Sequence, residues 1–280
     1  MKKFLWFALV IIISTGFIAG CKKKDKGTPP ELPPVESMII DFSNFMPETK
    51  SAASFNKGVN NSTWEFASLY AGYWNTLLKT TLAVPMAAFA QAKQSSPAFL
   101  AENLWQWSYN TNVTLNSISS TYKTRLTGQK TATEILWKMY ISKEGTGAFT
   151  EFLWFEGTSE INGTAGQWML NHSYQHQDRV LQIDWTKNNN TVNSVKYSYI
   201  RDKNDSGQTD PLKGSYIESG RTTDPLNSFY SIHYFNGISF LDLRIEWNST
   251  SNEGRVRSLS YFGNNNWYCW NSNYQNIVCP

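Results

Sequence analysis

From Leu104 nearly to the end of the chain, apolar side chains recur at every second position, and no long stretch of helical spacing interrupts them. Period-two alternation puts apolar residues on one face of a strand and polar ones on the other. Alternating runs occupy residues 104–109, 113–115, 122–126, 135–141, 149–155, 168–170, 180–185, 195–200, 215–218, 229–235, 240–247 and 256–262. Turn clusters fall between them: Thr127-Gly128-Gln129, Glu144-Gly145-Thr146-Gly147, Asn162-Gly163, residues 187–190, Asn236-Gly237 and residues 264–266. Asn-Gly between alternating runs is a strong hairpin signal. Parallel pairing needs long crossovers, which these gaps do not supply. The expectation is ten to twelve strands in one antiparallel meander with one buried and one wet face.

An internal echo supports this reading. Leu181-Gln182-Ile183-Asp184-Trp185 matches Leu243-Arg244-Ile245-Glu246-Trp247, and after a polar turn residues 192–197 match 256–261. Two hairpins of one pattern are implied, with Leu, Ile and Trp on one face. Chance is the alternative, because β patterns are short.

Ahead of the strands lies one helical segment, about 62–93. Ser62 and Glu65 have capping-box spacing. Phe66, Tyr70, Tyr73 and Leu77 then recur at helical spacing, and Trp74 and Leu78 broaden the stripe. Pro85 is expected to end or kink the helix after about Thr81, with 86–93 as a second segment. Helix followed by meander predicts an α+β fold. The sheet twists and curls into a half-barrel or open barrel, with the amphipathic helix on its apolar concave face. Residues 38–280 form this single domain.

Little in the domain reads as chemistry. His172 and His176 are four apart, but on a strand they would lie about 13 Å apart, which does not suit a metal. Glu151 and Glu156, and Asp184 and Glu246, are expected on the wet face rather than as a catalytic pair. No phosphate loop, dinucleotide fingerprint or nucleophile elbow occurs, and no cofactor or metal is implied. Residues 1–26 hold six of the 25 basic residues and one of the 22 acidic ones, so the remainder carries a formal −2. A nucleic-acid footprint needs clustered Lys and Arg on one face, and nothing here suggests one.

The chain has twelve tryptophans. Those in strands (Trp105, Trp107, Trp137, Trp154, Trp168, Trp185 and Trp247) are expected mostly in the core. Trp267, Tyr268, Trp270 and Tyr274 cluster near the end, where burial is harder. They are the candidate ligand-binding surface, with local packing as the alternative. Cys269 and Cys279 bracket that cluster. In an oxidising compartment they are expected to form a disulfide, with two free thiols as the alternative.

The N-terminus places the chain in such a compartment. Lys2 and Lys3 precede an apolar run over residues 4–13, too short to span a bilayer and flanked as an export signal is. It closes on Ile18-Ala19-Gly20-Cys21. This segment resembles the bacterial lipoprotein signal, whose lipobox is an aliphatic residue, two small residues and cysteine. The resemblance covers residues 1–21. It implies removal of the 1–20 signal peptide, diacylglycerol on the Cys21 sulfur and a third acyl chain, palmitate for example, on the new amino group. At about 0.8 kcal/mol per buried CH₂, several chains hold firmly. A cleavable signal with a chance cysteine is the alternative. Lys22 follows Cys21; by the same resemblance, the absence of Asp there favours the outer membrane. Residues 21–37 read as a tether, charged at first and then rich in proline.

In helix-then-meander order, lipid-anchored location and aromatic content, the body also resembles the open half-barrels of Lol-type lipoprotein carriers and of many uncharacterised outer-membrane lipoproteins. The likeness covers about residues 60–265, rests on no motif and carries no functional residue. The reading is an outer-membrane lipoprotein, non-enzymatic, facing periplasm or cell surface. It binds an apolar ligand such as lipid, or a partner protein. A glycan-binding lipoprotein using exposed tryptophans is the alternative, and a hydrolase a more distant one.

Overall fold

In the computed structural model the described residues are 26–46, 62–115, 117–189 and 191–280. The signal segment, Cys21 and the side chain of Ser62 lie outside them, so the lipobox and the capping box have no structural counterpart here. Fourteen strands form one sheet, in sequence order, with every pairing antiparallel. The long strands are β2 (Leu104–Leu115), β3 (Ile118–Lys130), β4 (Glu134–Lys143) and β5 (Phe149–Glu160). Then come β6 (Ala165–Asn171), β7 (Arg179–Asn188), β8 (Thr191–Tyr199), β9 (Tyr216–Arg221), β10 (Ser228–Phe235), β11 (Phe240–Trp247) and β12 (Gly254–Arg257). Short strands β1 (Ala98–Ala101), β13 (Tyr268–Trp270) and β14 (Asn276–Ile277) add the edges that alternation was too brief to reveal.

The sheet curves without closing, and two segments fill its trough. Helix α1 runs unbroken from Ser62–Ala92 with Pro85 inside it. The expected break is absent. Proline removes one intrahelical hydrogen bond, but both flanking halves are held: Leu82, Val84, Ala88 and Phe89 are all buried against the sheet. The buried stripe is Trp64, Ala67, Ala71, Trp74, Leu78, Leu82 and Phe89, rotated from the one centred on Tyr70 and Tyr73, which flank it half-exposed. The small residues Ala67 and Ala71 let the helix approach the strands. Its start meets the last strands, with Thr63 N donating to Asn276 Oδ1 (3.1 Å) and Trp64 against Tyr274. Its end meets the first ones, where Tyr109 donates its hydroxyl to Ala88 O (2.6 Å).

The second segment, residues 28–46, is an N-terminal strap beside the helix. Its proline-rich part does not stand free as a spacer from residue 29 on. Pro30 and Pro33 are buried, Pro30 lying over Gly128. Ser37 accepts from Trp168 Nε1 (3.1 Å) in β6. Phe42 and Phe45 then pack on Tyr230, and Phe45 on Trp247 and Trp270. Burying one such aromatic side chain contributes about 1.5–3 kcal/mol, which explains why an apolar run starting at Met38 docks.

A register rule organises the concave face. Trp105 faces Gly128, Gly128 faces Trp137, Trp137 faces Gly157 and Gly157 faces Trp168 across successive strands. Gly166 faces Trp185, and Gly254 sits between Trp247 and Trp270. One neighbouring indole lies over each glycine, Trp137 over Gly128, Trp168 over Gly157, Trp185 over Gly166 and Trp270 over Gly254: a Cβ on Gly157 would fall 2.4 Å from the Trp168 ring, and one on Gly254 2.2 Å from Trp270. Gly128 is therefore mid-strand, not the turn that its composition suggested.

The echo holds in its first half only. Leu181, Ile183 and Trp185, and Leu243, Ile245 and Trp247, all face the core. In the second half Tyr197 pairs with Ile183 but Val256 pairs with Ile245, so the matched residues are not equivalent. Leu259 and Tyr261 belong to an exposed helical turn, α2 (Leu259–Phe262).

Candidate functional site

Where the strap crosses β8 beside the helix, the trough is incompletely filled. An open cleft of about 200 Å³ lies between the two segments. The strap supplies Met38, Ile39, Ile40 and Phe42. The helix supplies Asn75, Leu78, Lys79, Leu82, Ala83 and Met86, one stripe at spacings of three and four. Tyr197 of β8 is the floor. Lys79 is the only charged lining residue and Asn75 the only amide; among the described residues neither side chain has a hydrogen-bond or ion-pair partner.

Tyr197 is fully buried, and its hydroxyl has no hydrogen-bond partner. Burial pushes its ionisation far up, so it stays a neutral donor. The indole N–H groups of Trp74, Trp185 and Trp247 in the same trough are likewise unpartnered. Two other buried indoles are satisfied: Trp137 reaches Ser159 Oγ (2.9 Å) and Trp270 reaches Asn252 O (2.7 Å). Tyr230, on the far side of the strap, donates to Asp41 O. An unmade buried hydrogen bond costs about 1–3 kcal/mol; of these orphaned donors Tyr197 lines this cleft, while Trp247 lies on the other side of the strap.

A second groove of about 300 Å³ opens on the strap's other side, against the ends of β8 to β11. Its lining is mixed and includes Glu36 and Asp41 of the strap and Asn193, Ser219 and Arg221 of the strands.

The terminal aromatic cluster does not converge on one surface. Trp270 is fully buried. Tyr268 stacks on Phe262 at 3.9 Å, and Tyr274 packs on Trp64 at 4.6 Å. Trp267 lies under Arg255 (4.2 Å) and Arg257 (4.5 Å). Cys269 and Cys279 are joined, with Cα atoms 5.2 Å apart. Of the strand tryptophans, Trp107, Trp137, Trp168, Trp185 and Trp247 are buried, while Trp105 and Trp154 are half-exposed.

The carboxylates of the sequence reading are individually engaged. Glu151 is bidentate with Arg125, Glu156 binds Arg179, Asp184 accepts from Gln167 and Gln182, and Glu246 is held by Arg244 and Arg255. The Arg125 hydrogen bond and charge hold the Glu151 carboxyl below its usual range. His172 and His176 are turn residues, not strand residues, as their polar surroundings suggested. They sit in the turn after β6, which folds back through Ser173 N to His176 O, and their rings are 6.0 Å apart. Both flank Asp205 Oδ1, at 3.8 and 3.9 Å. That oxygen is taken by Arg201, and no metal-holding group of three His, Cys, Asp or Glu occurs among the described residues. Burial, with the Arg201 charge, holds His172 below the ordinary histidine range.

The sequence signal for the cleft was weak. Lys79 and Asn75 break an apolar helix face, and Tyr197 looks like any core tyrosine in an alternating strand. No helix of the described residues is long and apolar enough to cross a membrane. No protein-family model, curated protein or solved structure matches the chain.

Proposed function

We propose that this chain is a non-enzymatic lipoprotein of the bacterial outer membrane that holds a small apolar ligand between strap and helix. The observation that carries the reading is the cleft itself: apolar walls from two segments, over a buried tyrosine with no partner of its own. Ligand sites are mostly apolar with a few placed polar groups, and this cleft has that composition. The acyl chains expected on Cys21 fix the protein to the membrane. The chain docks on the sheet from Pro29 and Pro30 onward, so few residues separate Cys21 from the trough. The trough therefore stands close to the bilayer surface, where apolar ligands partition.

Two measurements test this. Native mass spectrometry of the chain purified from its own compartment should show bound mass that organic extraction removes. Ala83→Phe, which fills the cleft, should lose that mass while keeping the β-rich circular dichroism spectrum. A clean apo mass for the wild type would sink the ligand reading. Separately, Cys21→Ala should abolish incorporation of labelled palmitate and release the protein from the outer-membrane fraction. Retention in that fraction would remove the anchor reading.

A further inference from the structure

We infer that the occupant of the strap–helix cleft is a single-chain aliphatic carboxylate, its head bound at the mouth by Lys79 and Asn75. The inference rests on the proposed apolar site and names its ligand. Asn75 and Lys79 are one helical turn apart on α1, so their side chains emerge side by side. Leu78 lies between them, Leu82 and Met86 follow on the same stripe, and Ile40 and Phe42 of the strap also line the cleft. Polar groups therefore stand at one end of the cleft and hydrocarbon lines the rest.

The charge is one-sided. The nearby acidic residues of the strap, Glu36 and Asp41, line the groove on its other side, and among the described residues no carboxylate lines this cleft. Lys79 thus presents an ammonium uncompensated among the described residues, beside an amide that can donate as well. Its four-carbon stem can lie along the apolar wall and bring the charge to the ligand head. An anion with a hydrocarbon tail complements both ends; a cationic or neutral amphiphile complements only the walls. At about 200 Å³ the cleft is below the usual 300–1,000 Å³ of small-molecule sites. It suits one short or medium chain rather than a two-chain phospholipid or a ring system.

The test uses the chain without residues 1–21, which keeps every described element. Sodium decanoate, decanol and decyltrimethylammonium are titrated below their aggregation limits and followed by tryptophan fluorescence and calorimetry. Decanoate is expected to bind about tenfold tighter than decanol, the size of a hydrogen bond to a charged group, and decyltrimethylammonium most weakly. Lys79→Met should bring decanoate down to decanol while leaving decanol unchanged. Lys79→Arg should keep the preference. Equal affinity for decanoate and decanol, or a preference untouched by Lys79→Met, would overturn the carboxylate assignment and leave the apolar site standing. If neither ligand binds, or Ala83→Phe leaves their binding unaltered, the site reading falls with it.

Discussion

Replacing Tyr197 by Phe should stabilise the protein. The hydroxyl is fully buried and has no partner, so folding strips it of water and returns nothing. Removing it should relieve about 1–3 kcal/mol of desolvation. The void left by one oxygen costs a few tenths of a kcal/mol at about 24 cal/mol per Å³. The net gain of about 1–2 kcal/mol corresponds to a rise in Tm of roughly 2–6 °C for a chain of this size. Tyr109→Phe is the matched control, because its hydroxyl donates to Ala88 O at 2.6 Å. That variant should lose about 0.5–1.5 kcal/mol. Urea unfolding and calorimetry on ligand-free protein read both. If Tyr197→Phe is destabilised as much as Tyr109→Phe, the hydroxyl makes a bond in solution and the description of the cleft floor is wrong.

Three further outcomes follow from the packing. Gly157→Ala should cost about 1–3 kcal/mol, since its Cβ would meet Gln167 O at 2.2 Å and the Trp168 ring at 2.4 Å; a neutral result in urea unfolding would remove the glycine–tryptophan register rule. Replacing both Cys269 and Cys279 by Ser should lower stability by about 2–3 kcal/mol and raise amide exchange first in β13 and β14, whereas unchanged exchange there would mean the bridge does not hold that edge. Burial tends to raise the Glu246 carboxyl, but the hydrogen bonds from Arg255 and Arg244 outweigh it and hold the group below its ordinary 4.5. A carboxyl depressed on folding stabilises above its unfolded pKa, and that contribution is lost as pH falls through the folded value. Glu246→Gln should therefore flatten the fall of Tm below about pH 4.5, and an unchanged acid limb would refute the assignment.

The alternation after Leu104 was enough to determine the strand class and the antiparallel order, because a two-residue period and short turns leave a chain few other solutions, and the helical spacing after Ser62 was enough for the long helix. Placement of the first echo strands on the core face followed from the same period, and proximity in sequence was enough for the Cys269–Cys279 bridge. Other features depended on partners distant in sequence. Gly128 reads locally as a turn; only its pairing with Trp105 and Trp137 on either side, and the Trp137 ring and Pro30 packed over it, make it a strand position. Pro85 reads as a break, and packing of the flanking residues on the sheet overrides it. The aromatic cluster at 267–274 reads as exposed until Trp64 and Phe262 cover its members. The cleft is the extreme case. Met38, Lys79 and Tyr197 lie on a strap, a helix and a strand, and no pattern within any one of them signals the others. Local sequence determined which elements form and which faces they bury. The tertiary structure decided where the buried faces fail to meet, because that gap is a property of three segments packed together and of none alone.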